Sequence, residues 1–401
     1  MKYIILLGDG MSDEPMSELD GKTPLEAAHT PHMDHLSRHG LVGLAATVPE
    51  GYPPGSDVAN LSVFGYNPAD CYSGRSPLEA ASMGVDLAPE DVAFRLNLVW
   101  LEAHFGKIYM GDFSAGHIST DEGAELIQCL HQELGGNDFH FYPGVSYRHL
   151  MVWKNGSDQL KFTPPHDISA QSIEDHLPQG EGAAILHELM NSAQMLLVDH
   201  PVNNRRVAMK QLPANSIWLW GHGRRPLMET YQQRYGLTGA VISAVDLIKG
   251  IGVNAGLDII NVPGATGYID TNYRGKAEYA VDALKSRDFV YLHVEAPDEA
   301  AHGGMLKEKI EAIENFDRLV VGTIMDHLDA IGDCRILVTP DHPTPVAKRT
   351  HTSDPVPFAL YDTRCDFASS ATAYSEKEAR QTNVKMAGHQ LMSLLLERQK
   401  I

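Results

Sequence analysis

Three apolar runs rich in β-forming residues end in acidic or histidine residues, and they come from opposite ends of the chain. They are residues 3–7 before Asp9, residues 289–294 before Glu295 and Asp298, and residues 335–338 before Asp341. Such runs predict buried parallel strands that carry functional groups on the loops at their carboxyl ends. The three loops can share one site only if the first and last parts of the chain fold together. The sequence therefore predicts an α/β fold with a mostly parallel sheet flanked by helices, and a middle portion that is inserted into it.

The inserted portion is predicted to be a smaller α/β domain. Segments of small residues and turn formers near 112–116 and 256–267 mark its ends, so we expect a core of residues 1–115 and 257–401 and an insert of residues 116–256. Within the insert, residues 119–134 have helical spacing after a polar cluster suited to an N-terminal cap, and residues 147–153 and 216–220 have the composition of strands. A chain of 401 residues with 43% hydrophobic residues is long enough for both domains.

Charge and cysteine content restrict the partners. The formal net charge of −20 disfavours a nucleic-acid or acidic-membrane partner, because no excess of Lys and Arg is available to neutralise phosphates. The four cysteines form no CxxC pair, which favours reduced thiols and a cytoplasmic location. No apolar run approaches the length of a membrane span. A small anionic substrate remains compatible with this charge, and the oligomeric state is left open.

The residues around the strand ends have the side chains of metal ligands. The candidates are Asp9, Asp298, His302, Asp341, His342 and His351. Asp298 and His302 stand four positions apart, so on a helix they would share one face and could bind one cation. Asp341 and His342 are adjacent before a proline, so on extended backbone they would point in opposite directions and suit two neighbouring ions. Each pair alone is common on ordinary surfaces, but the whole set predicts a two-metal centre of the kind that transfers phosphoryl groups.

Ser56 is the candidate nucleophile. A Gly/Pro-rich loop ends at Ser56, and a helix is predicted to start immediately after it, so a phosphoryl group there would meet helix-terminal N–H groups. The same position would suit an ordinary N-cap serine. Ser62 is the rival, but it lies six helical positions away, a rotation of about 240°, and should point elsewhere.

These residues stand in motifs that resemble the archaeal-type cofactor-independent phosphoglycerate mutases, within the alkaline phosphatase superfamily. The motifs are GDGMSDEP (8–15), PPGSDVANLSVFGYNP (53–68), HPVNNRRVA (200–208), HVEAPDEAAHGG (293–304) and VTPDHPTPVAKRTHTSDPVPF (338–358). The resemblance implies an alkaline-phosphatase-like core with one metal site from Asp298, His302 and His351. It implies a second metal site from Asp9, Ser56, Asp341 and His342.

The resemblance also implies a reaction. Two ions of Mn²⁺, Zn²⁺ or Co²⁺, with Mg²⁺ as a further candidate, would serve without 2,3-bisphosphoglycerate. Ser56 would take the phosphoryl group from one hydroxyl of phosphoglycerate and return it to the other, which interconverts 3-phosphoglycerate and 2-phosphoglycerate.

A phosphorylated hydroxy acid also needs cationic side chains to bind it. The candidates are Arg148, Arg205, Arg206, Lys276 and His117, with Arg224, Arg225 and Lys348 as further cations. Arg205 and Lys276 are favoured because they stand in segments similar to the family. The sequence names no general acid or base.

Three alternatives remain open from the sequence. The acceptor could be homoserine, giving phosphohomoserine; water could accept the phosphoryl group, as in a phosphatase; or the chain could bind metal without catalysis. No P-loop is present, so any phosphotransfer to homoserine would have to proceed through Ser56.

Overall fold

The computed structural model describes residues 1–104, 106–367 and 369–397, and the chain divides into two compact units. The core unit comprises Met1–Tyr72 and Leu227–Ile401, and the inserted unit comprises Ser73–Pro226. Among the described residues, no helix combines the length and apolar character that crossing a bilayer would require.

The elements follow one another along the chain as strands and mostly short helices. The strands are β1 (Lys2–Gly8), β2 (Leu41–Ala46), β3 (Val92–His104), β4 (Lys107–Asp112), β5 (Phe139–Val145), β6 (Arg148–Trp153), β7 (Leu160–Lys161), β8 (Gln179–Gly180), β9 (Ser216–Arg224), β10 (Gly239–Ile242), β11 (Asp258–Ile259), β12 (Phe289–Val294), β13 (Cys334–Thr339), β14 (Val356–Asp362) and β15 (Lys385–Ala387). The α-helices are α1 (Pro24–Ala27), α2 (Pro31–His39), α3 (Ser56–Val63), α4 (Pro68–Cys71), α5 (Ser76–Ser82), α6 (Thr120–Leu134), α7 (Ala183–Val198), α8 (Pro201–Ala208), α9 (Tyr231–Arg234), α10 (Asp246–Asn254), α11 (Tyr273–Leu284), α12 (Ala296–His302), α13 (Leu306–Asn315), α14 (Gly322–Asp326), α15 (Leu328–Ile331), α16 (Glu376–Gln381) and α17 (Leu391–Leu395). Short 3₁₀ segments and a π-helical turn at Phe316–Val321 complete the described elements.

The core unit is built on one mostly parallel sheet with the strand order β11-β10-β12-β1-β13-β14-β2-β15. Strands β12, β1 and β13 run parallel in its centre, with Leu7 opposite both His293 and Thr339. Their side chains are buried almost throughout, because helices cover both faces of such a sheet. The predicted fold class, α/β with a mostly parallel sheet, is confirmed, and the three predicted strands lie where the apolar runs are.

One strand runs against the others and places the last ligand. Strand β14 is antiparallel to both β13 and β2, so its amino end lies at the same edge as the carboxyl ends of its neighbours. The loop between β13 and β14 therefore starts and ends at one edge of the sheet. This loop carries Asp341, His342, Thr344 and His351.

The inserted unit has a separate antiparallel sheet and its own hydrophobic core. Its strand order is β4-β3-β6-β5, and β9 pairs with β3 on the edge opposite β6. Helix α6 begins at Thr120, after Ser119 accepts a hydrogen bond from the Glu122 N–H, as the polar cluster at this position predicted. Leu126, Ile127 and Leu130 of this helix are buried in the core of the unit.

The boundaries of the units differ from the predicted ones, which were placed after residues 115 and 256. Strand β3 pairs with β6 and β9, so the segment before residue 115 belongs to the inserted sheet. Strand β10 pairs in parallel with β12, so the segment before residue 256 belongs to the core. The small residues near 112–116 form a local turn, in which the Asp112 carboxylate accepts hydrogen bonds from the N–H groups of Ser114 and Gly116. The sequence marked a turn correctly but could not show which sheet the strands beside it join.

A buried ion pair fastens the loop after β1 to the loop after β13. Lys309 on α13 is fully buried and donates from Nζ to Asp13 Oδ2 at 2.8 Å, to the Ser12 carbonyl at 3.2 Å and to the Thr344 carbonyl at 2.9 Å. Asp13 Oδ2 also accepts from the Val346 N–H. All of the lysine's donors are satisfied, which is the condition for a buried pair to be tolerated.

We expect Lys309→Met to destabilise the protein by about 3–5 kcal/mol, because it leaves Asp13 buried without its cation. The free energy of unfolding would be measured by urea denaturation. Lys307→Met is the matched control, since Lys307 is exposed on the same helix and should change stability by less than about 0.5 kcal/mol. Equal stability of the two variants would contradict the role given to this pair.

Candidate metal centre

The predicted ligands of the core unit meet at one edge of its sheet. Asp9 follows β1, Asp298 lies in α12 after β12, and Asp341 follows β13. All three carboxylates are buried, with exposed fractions of 1%, 4% and 0%. Burial, followed by the neighbouring charges of Asp341 and Asp298, holds the pKa of Asp9 well above its ordinary value. Three buried carboxylates so close together require a positive partner.

Asp298 sits among histidines. Its Oδ2 lies 3.2 Å from His302 Nε2, and its Oδ1 lies 3.5 Å from His351 Nε2. The two histidine Nε2 atoms are themselves 2.8 Å apart. Burial opposes ionisation of Asp298, but hydrogen bonds with His302 and His351 hold its pKa well below the ordinary range. The predicted set of Asp298, His302 and His351 is therefore one local group of converging ligand atoms.

Asp9, Asp341 and His342 form a second group. His342 Nε2 lies 3.2 Å from Asp341 Oδ2 and 3.6 Å from Asp9 Oδ1. Asp9 Oδ1 is buried and has no hydrogen-bond partner among the described residues. The ligand atoms of this group lie within 4.8 Å of one another, as do those of Asp298, His342 and His351, so His342 borders both groups. An orphaned carboxylate oxygen beside imidazole nitrogens fits a divalent cation.

Two of the histidines have a hydrogen-bond partner on Nδ1, which turns Nε2 toward the carboxylates. His302 Nδ1 lies 2.9 Å from the Arg349 carbonyl, which can only accept, so the proton is on Nδ1. Thr344 donates to Asp298 Oδ1 at 2.5 Å and therefore accepts from His342 Nδ1 at 3.2 Å. Metal-binding histidines are commonly oriented in this way by a partner on the other ring nitrogen.

Gly10, after Asp9, is required by the packing of this edge. Its φ of +61° lies in the left-handed region, and a Cβ there would come within 2.6 Å of Asp298 Oδ1. Its N–H donates to Asp341 Oδ1 at 3.2 Å. Glycine thus lets the chain turn tightly between the carboxylates of both groups.

Ser56, and not Ser62, lies at the metal-ligand groups. Helix α3 begins at Ser56, and Ser56 Oγ lies 3.1 Å from His342 Nε2. Ser62 is fully buried, its Oγ has no hydrogen-bond partner among the described residues, and it faces Gly388.

Asn60 and Tyr291 support this arrangement and were missed from the sequence. Asn60 Nδ2 donates to the Ser56 carbonyl at 2.9 Å and to Asp341 Oδ2 at 2.8 Å, while its Oδ1 accepts from the Tyr291 hydroxyl at 2.6 Å. The four-residue spacing from Ser56 to Asn60 was the available signal, since it places both on one helix face. The Tyr291 contact depends on how strand β12 packs against α3, so the local sequence could not predict it.

Comparison with known proteins places the chain in a family. A model described as 2,3-bisphosphoglycerate-independent phosphoglycerate mutase matches residues 37–203. A probable mutase of this name from Geobacter sulfurreducens is 61% identical over 399 residues, which cover 99% of this chain and 100% of the relative. The chain belongs to the 2,3-bisphosphoglycerate-independent phosphoglycerate mutases. The mutase of Methanosarcina acetivorans is 56% identical over 365 residues, covering 90% of this chain and 91% of its own.

Solved structures agree with this membership of the mutase family. A protein of Pyrococcus horikoshii superposes with a TM-score of 0.84 at 30% identity, covering 100% of this chain and 98% of its own. The cofactor-independent phosphoglycerate mutase of Thermoplasma acidophilum gives a TM-score of 0.66 at 27% identity, with 99% of both chains covered. The resemblance inferred from the motifs is confirmed.

Several cations predicted to bind substrate are engaged in the structure of the mutase. Lys276 is fully buried, donates to the His293 carbonyl at 3.1 Å, and has a pKa that burial lowers to about 8. Arg206 is buried and bound to Glu122 at 2.7 Å and to the carbonyls of Ala115 and Leu212. The structure does not support these two as substrate ligands, because neither side chain reaches solvent.

The other predicted cations are nearer the surface. Exposed Arg205 lies 3.2 Å from Glu125, Arg224 is bound to Asp158, Arg225 lies near Asp86, and Lys348 pairs with Glu14. Arg148 and His117 are also exposed, and both lie beside Tyr147, the guanidinium carbon of Arg148 at 5.7 Å and the His117 ring at 6.0 Å from the Tyr147 ring.

Arg148 belongs to a group of arginines that the sequence did not reveal. We call Arg75, Arg95, Arg148 and Glu79 the arginine cluster of the inserted unit. Glu79 lies 2.8 Å from Arg75 and 3.3 Å from the buried Arg95, whose guanidinium lies 4.5 Å from the centre of the Trp220 ring. Burial opposes ionisation of Glu79, yet Arg95, Arg75 and Arg148 together hold its pKa below the ordinary value. With three arginines and one carboxylate, the cluster has an excess of positive charge.

We expect Asp9→Asn to stabilise the metal-free mutase while removing the part of its stabilisation by Mn²⁺ that the Asp9, Asp341 and His342 group provides. The amide replaces the orphaned oxygen without a donor clash and removes one of three buried like charges. Thermal unfolding of chelator-treated protein should show a rise of about 2–4 °C, the equivalent of about 1 kcal/mol. Wild type should instead gain about 4 kcal/mol at a Mn²⁺ concentration roughly a thousand times its dissociation constant. A metal-free variant that melts below wild type, or one that Mn²⁺ stabilises equally, would contradict this account.

Proposed function

We propose that this mutase interconverts 3-phosphoglycerate and 2-phosphoglycerate through a phosphoserine at Ser56, with two divalent cations and without 2,3-bisphosphoglycerate. The observation that carries the proposal is the position of Ser56 Oγ, 3.1 Å from His342 Nε2 beside the buried carboxylates. Membership of the family supplies the reaction and the substrate.

Asp298, His302 and His351 would hold one cation, and Asp9, Ser56, Asp341 and His342 the other. Such cations, when bound, neutralise phosphoryl oxygens and favour the ionised form of a serine hydroxyl. Mn²⁺, Zn²⁺ and Co²⁺ all suit ligands of this kind, and Mg²⁺ remains a further candidate.

The chain's own residues account for the positioning of the nucleophile. Asn60 holds the Ser56 carbonyl, so the first turn of α3 keeps Ser56 Oγ at the ligand groups. The Ser56 hydroxyl gives up its proton and its Oγ forms a bond to phosphorus as the bond from phosphorus to the substrate's oxygen breaks. That oxygen takes up a proton, so the step neither gains nor loses one overall. The reverse step delivers the phosphoryl group to the neighbouring hydroxyl of the same glycerate.

We propose that the arginine cluster, mainly through Arg148, binds the anionic groups of the substrate together with His117. Within the cluster the buried Arg95 is paired with Glu79, while Arg148 is exposed at the start of β6 and can reach a ligand. A guanidinium fork suits carboxylate and phosphate.

The cellular location of the protein and its partners are also proposals. The four cysteines are free, which supports a reducing, cytoplasmic location. Nucleic-acid and membrane partners remain disfavoured by the acidic composition alone.

We expect the Mn²⁺-loaded protein to convert 3-phosphoglycerate into 2-phosphoglycerate, as followed by phosphorus NMR with homoserine present in a parallel sample. Ser56→Ala should abolish turnover, and Ser62→Ala should retain it, because Ser62 Oγ has no hydrogen-bond partner among the described residues. Release of inorganic phosphate would indicate a hydrolase, and phosphohomoserine a transferase. A dead Ser62→Ala beside an active Ser56→Ala would overturn the choice of nucleophile.

We expect Arg148→Ala to lower kcat/KM for phosphoglycerate about 10–100-fold, since a charge-assisted hydrogen bond contributes about 1.5–3 kcal/mol. Arg205→Ala serves as the control, because Arg205 is also exposed but lies in a surface ion pair with Glu125. Steady-state kinetics of both variants decide the assignment. Similar losses in the two variants would count against Arg148.

A further inference from the structure

His293 lies behind the metal centre at the end of β12, between the strands that carry Asp9 and Ser243. It is opposite Leu7 in the register of β12 with β1, and Leu292 before it pairs with Ile242 of β10. The imidazole is fully buried. His293 Nε2 lies 2.8 Å from Asp9 Oδ2, and Nδ1 lies 3.1 Å from Ser243 Oγ. Both ring nitrogens are therefore engaged.

The hydrogen bonds around the ring fix the direction in which they run. A carboxylate that binds a cation is ionised and can only accept, so His293 Nε2 carries a proton and donates to Asp9 Oδ2. A neutral ring then accepts at Nδ1, and the Ser243 hydroxyl is its donor. Ser243 Oγ in turn accepts from the Val245 N–H at 3.0 Å. The result is a chain of hydrogen bonds from the β10 loop to one oxygen of Asp9.

The main chain at His293 is held as well. Lys276 on α11 reaches through the interior to donate from Nζ to the His293 carbonyl at 3.1 Å. Lys276 stands in a segment similar to the family, but it is buried and does not face the substrate. Instead it stabilises the strand that carries His293.

Because His293 occupies Oδ2, the other oxygen of Asp9 is left for a different partner. That atom, Oδ1, is the buried oxygen without a hydrogen bond, and it lies 3.6 Å from His342 Nε2. A carboxylate free to rotate could present either oxygen or both. The hydrogen bond from His293 therefore distinguishes the two oxygens: Oδ2 is held by the imidazole, and Oδ1 is left for a cation.

We propose that His293 is a positioning residue that holds Asp9 by Oδ2, turns Oδ1 toward Asp341 and His342, and so sets the cation affinity of this group. Among the described residues, the hydrogen bonds of the His293 ring go to Asp9 and Ser243 and not to the group around Asp298, which therefore keeps its affinity. The inference rests on the proposed metal centre but not on which reaction that centre catalyses. Partners behind metal ligands typically change affinity about 10–100-fold when they are removed.

The test uses chelator-treated full-length protein and Mn²⁺ alone, with free Mn²⁺ measured by electron paramagnetic resonance. Wild type should bind two ions. His293→Leu should bind one of them about 10–100-fold more weakly and the other as before. His293→Gln, whose amide N–H can still donate to Asp9, should stay within about threefold of wild type. His149→Leu is the matched control, since His149 is a buried histidine of the inserted unit and should leave both affinities unchanged.

A structural role alone would give a different pattern. Unchanged Mn²⁺ binding in His293→Leu, or an equal weakening of both ions together with a lower melting temperature without metal, would overturn the proposal. If His293→Leu does not fold, Ser243→Ala is the deciding variant. It keeps the imidazole but removes the hydroxyl that fixes which ring nitrogen carries the proton. Weaker binding of one ion would support the proposal, and wild-type binding would overturn it. Fewer than two ions in wild type would refute the metal centre itself, whatever the activity.

Discussion

The structure depends on the close approach of three buried carboxylates. Asp9, Asp298 and Asp341 are brought together by neighbouring strands, in surroundings where like charges repel strongly and water is scarce. Hydrogen bonds fix the orientation of all three: the N–H groups of Gly10 and His342 and the Asn60 amide donate to Asp341, Thr344 donates to Asp298, and His293 lies against Asp9. The edge of the sheet thus holds electrostatic repulsion that bound cations would relieve, so the proposed metal binding would be coupled to the stability of the fold.

Much of this edge could be predicted because its signals are local. An apolar run followed by Asp predicts a buried strand with a ligand at its carboxyl end, and this held for β1, β12 and β13. The cap at Ser119 likewise predicted helix α6 almost to the residue. Parallel strands then bring such ends together whatever their distance along the chain. His351 was a weaker inference, since it precedes its strand, and only the antiparallel direction of β14 brings it to the same edge.

What escaped the sequence was decided by distant pairing and by burial. The unit boundaries depend on whether β3 and β10 join one sheet or the other, and no local pattern records this choice. Lys276 and Arg206 had the right charge for a substrate but are enclosed by carbonyl and carboxylate groups that a sequence does not display. His293, Asn60 and Tyr291 were missed for the opposite reason, since ordinary polar residues become informative only through the atoms they touch.

The single loop between β13 and β14 has a consequence for the independence of the two ligand groups. Asp341 and His342 at its start and His351 near its end belong to different groups, and Thr344 between them holds both Asp298 and His342. Neither half of the centre is a separable module. A change in the length of this loop would therefore alter both ligand groups together, whereas a substitution at Asp341 or His351 would affect one of them first.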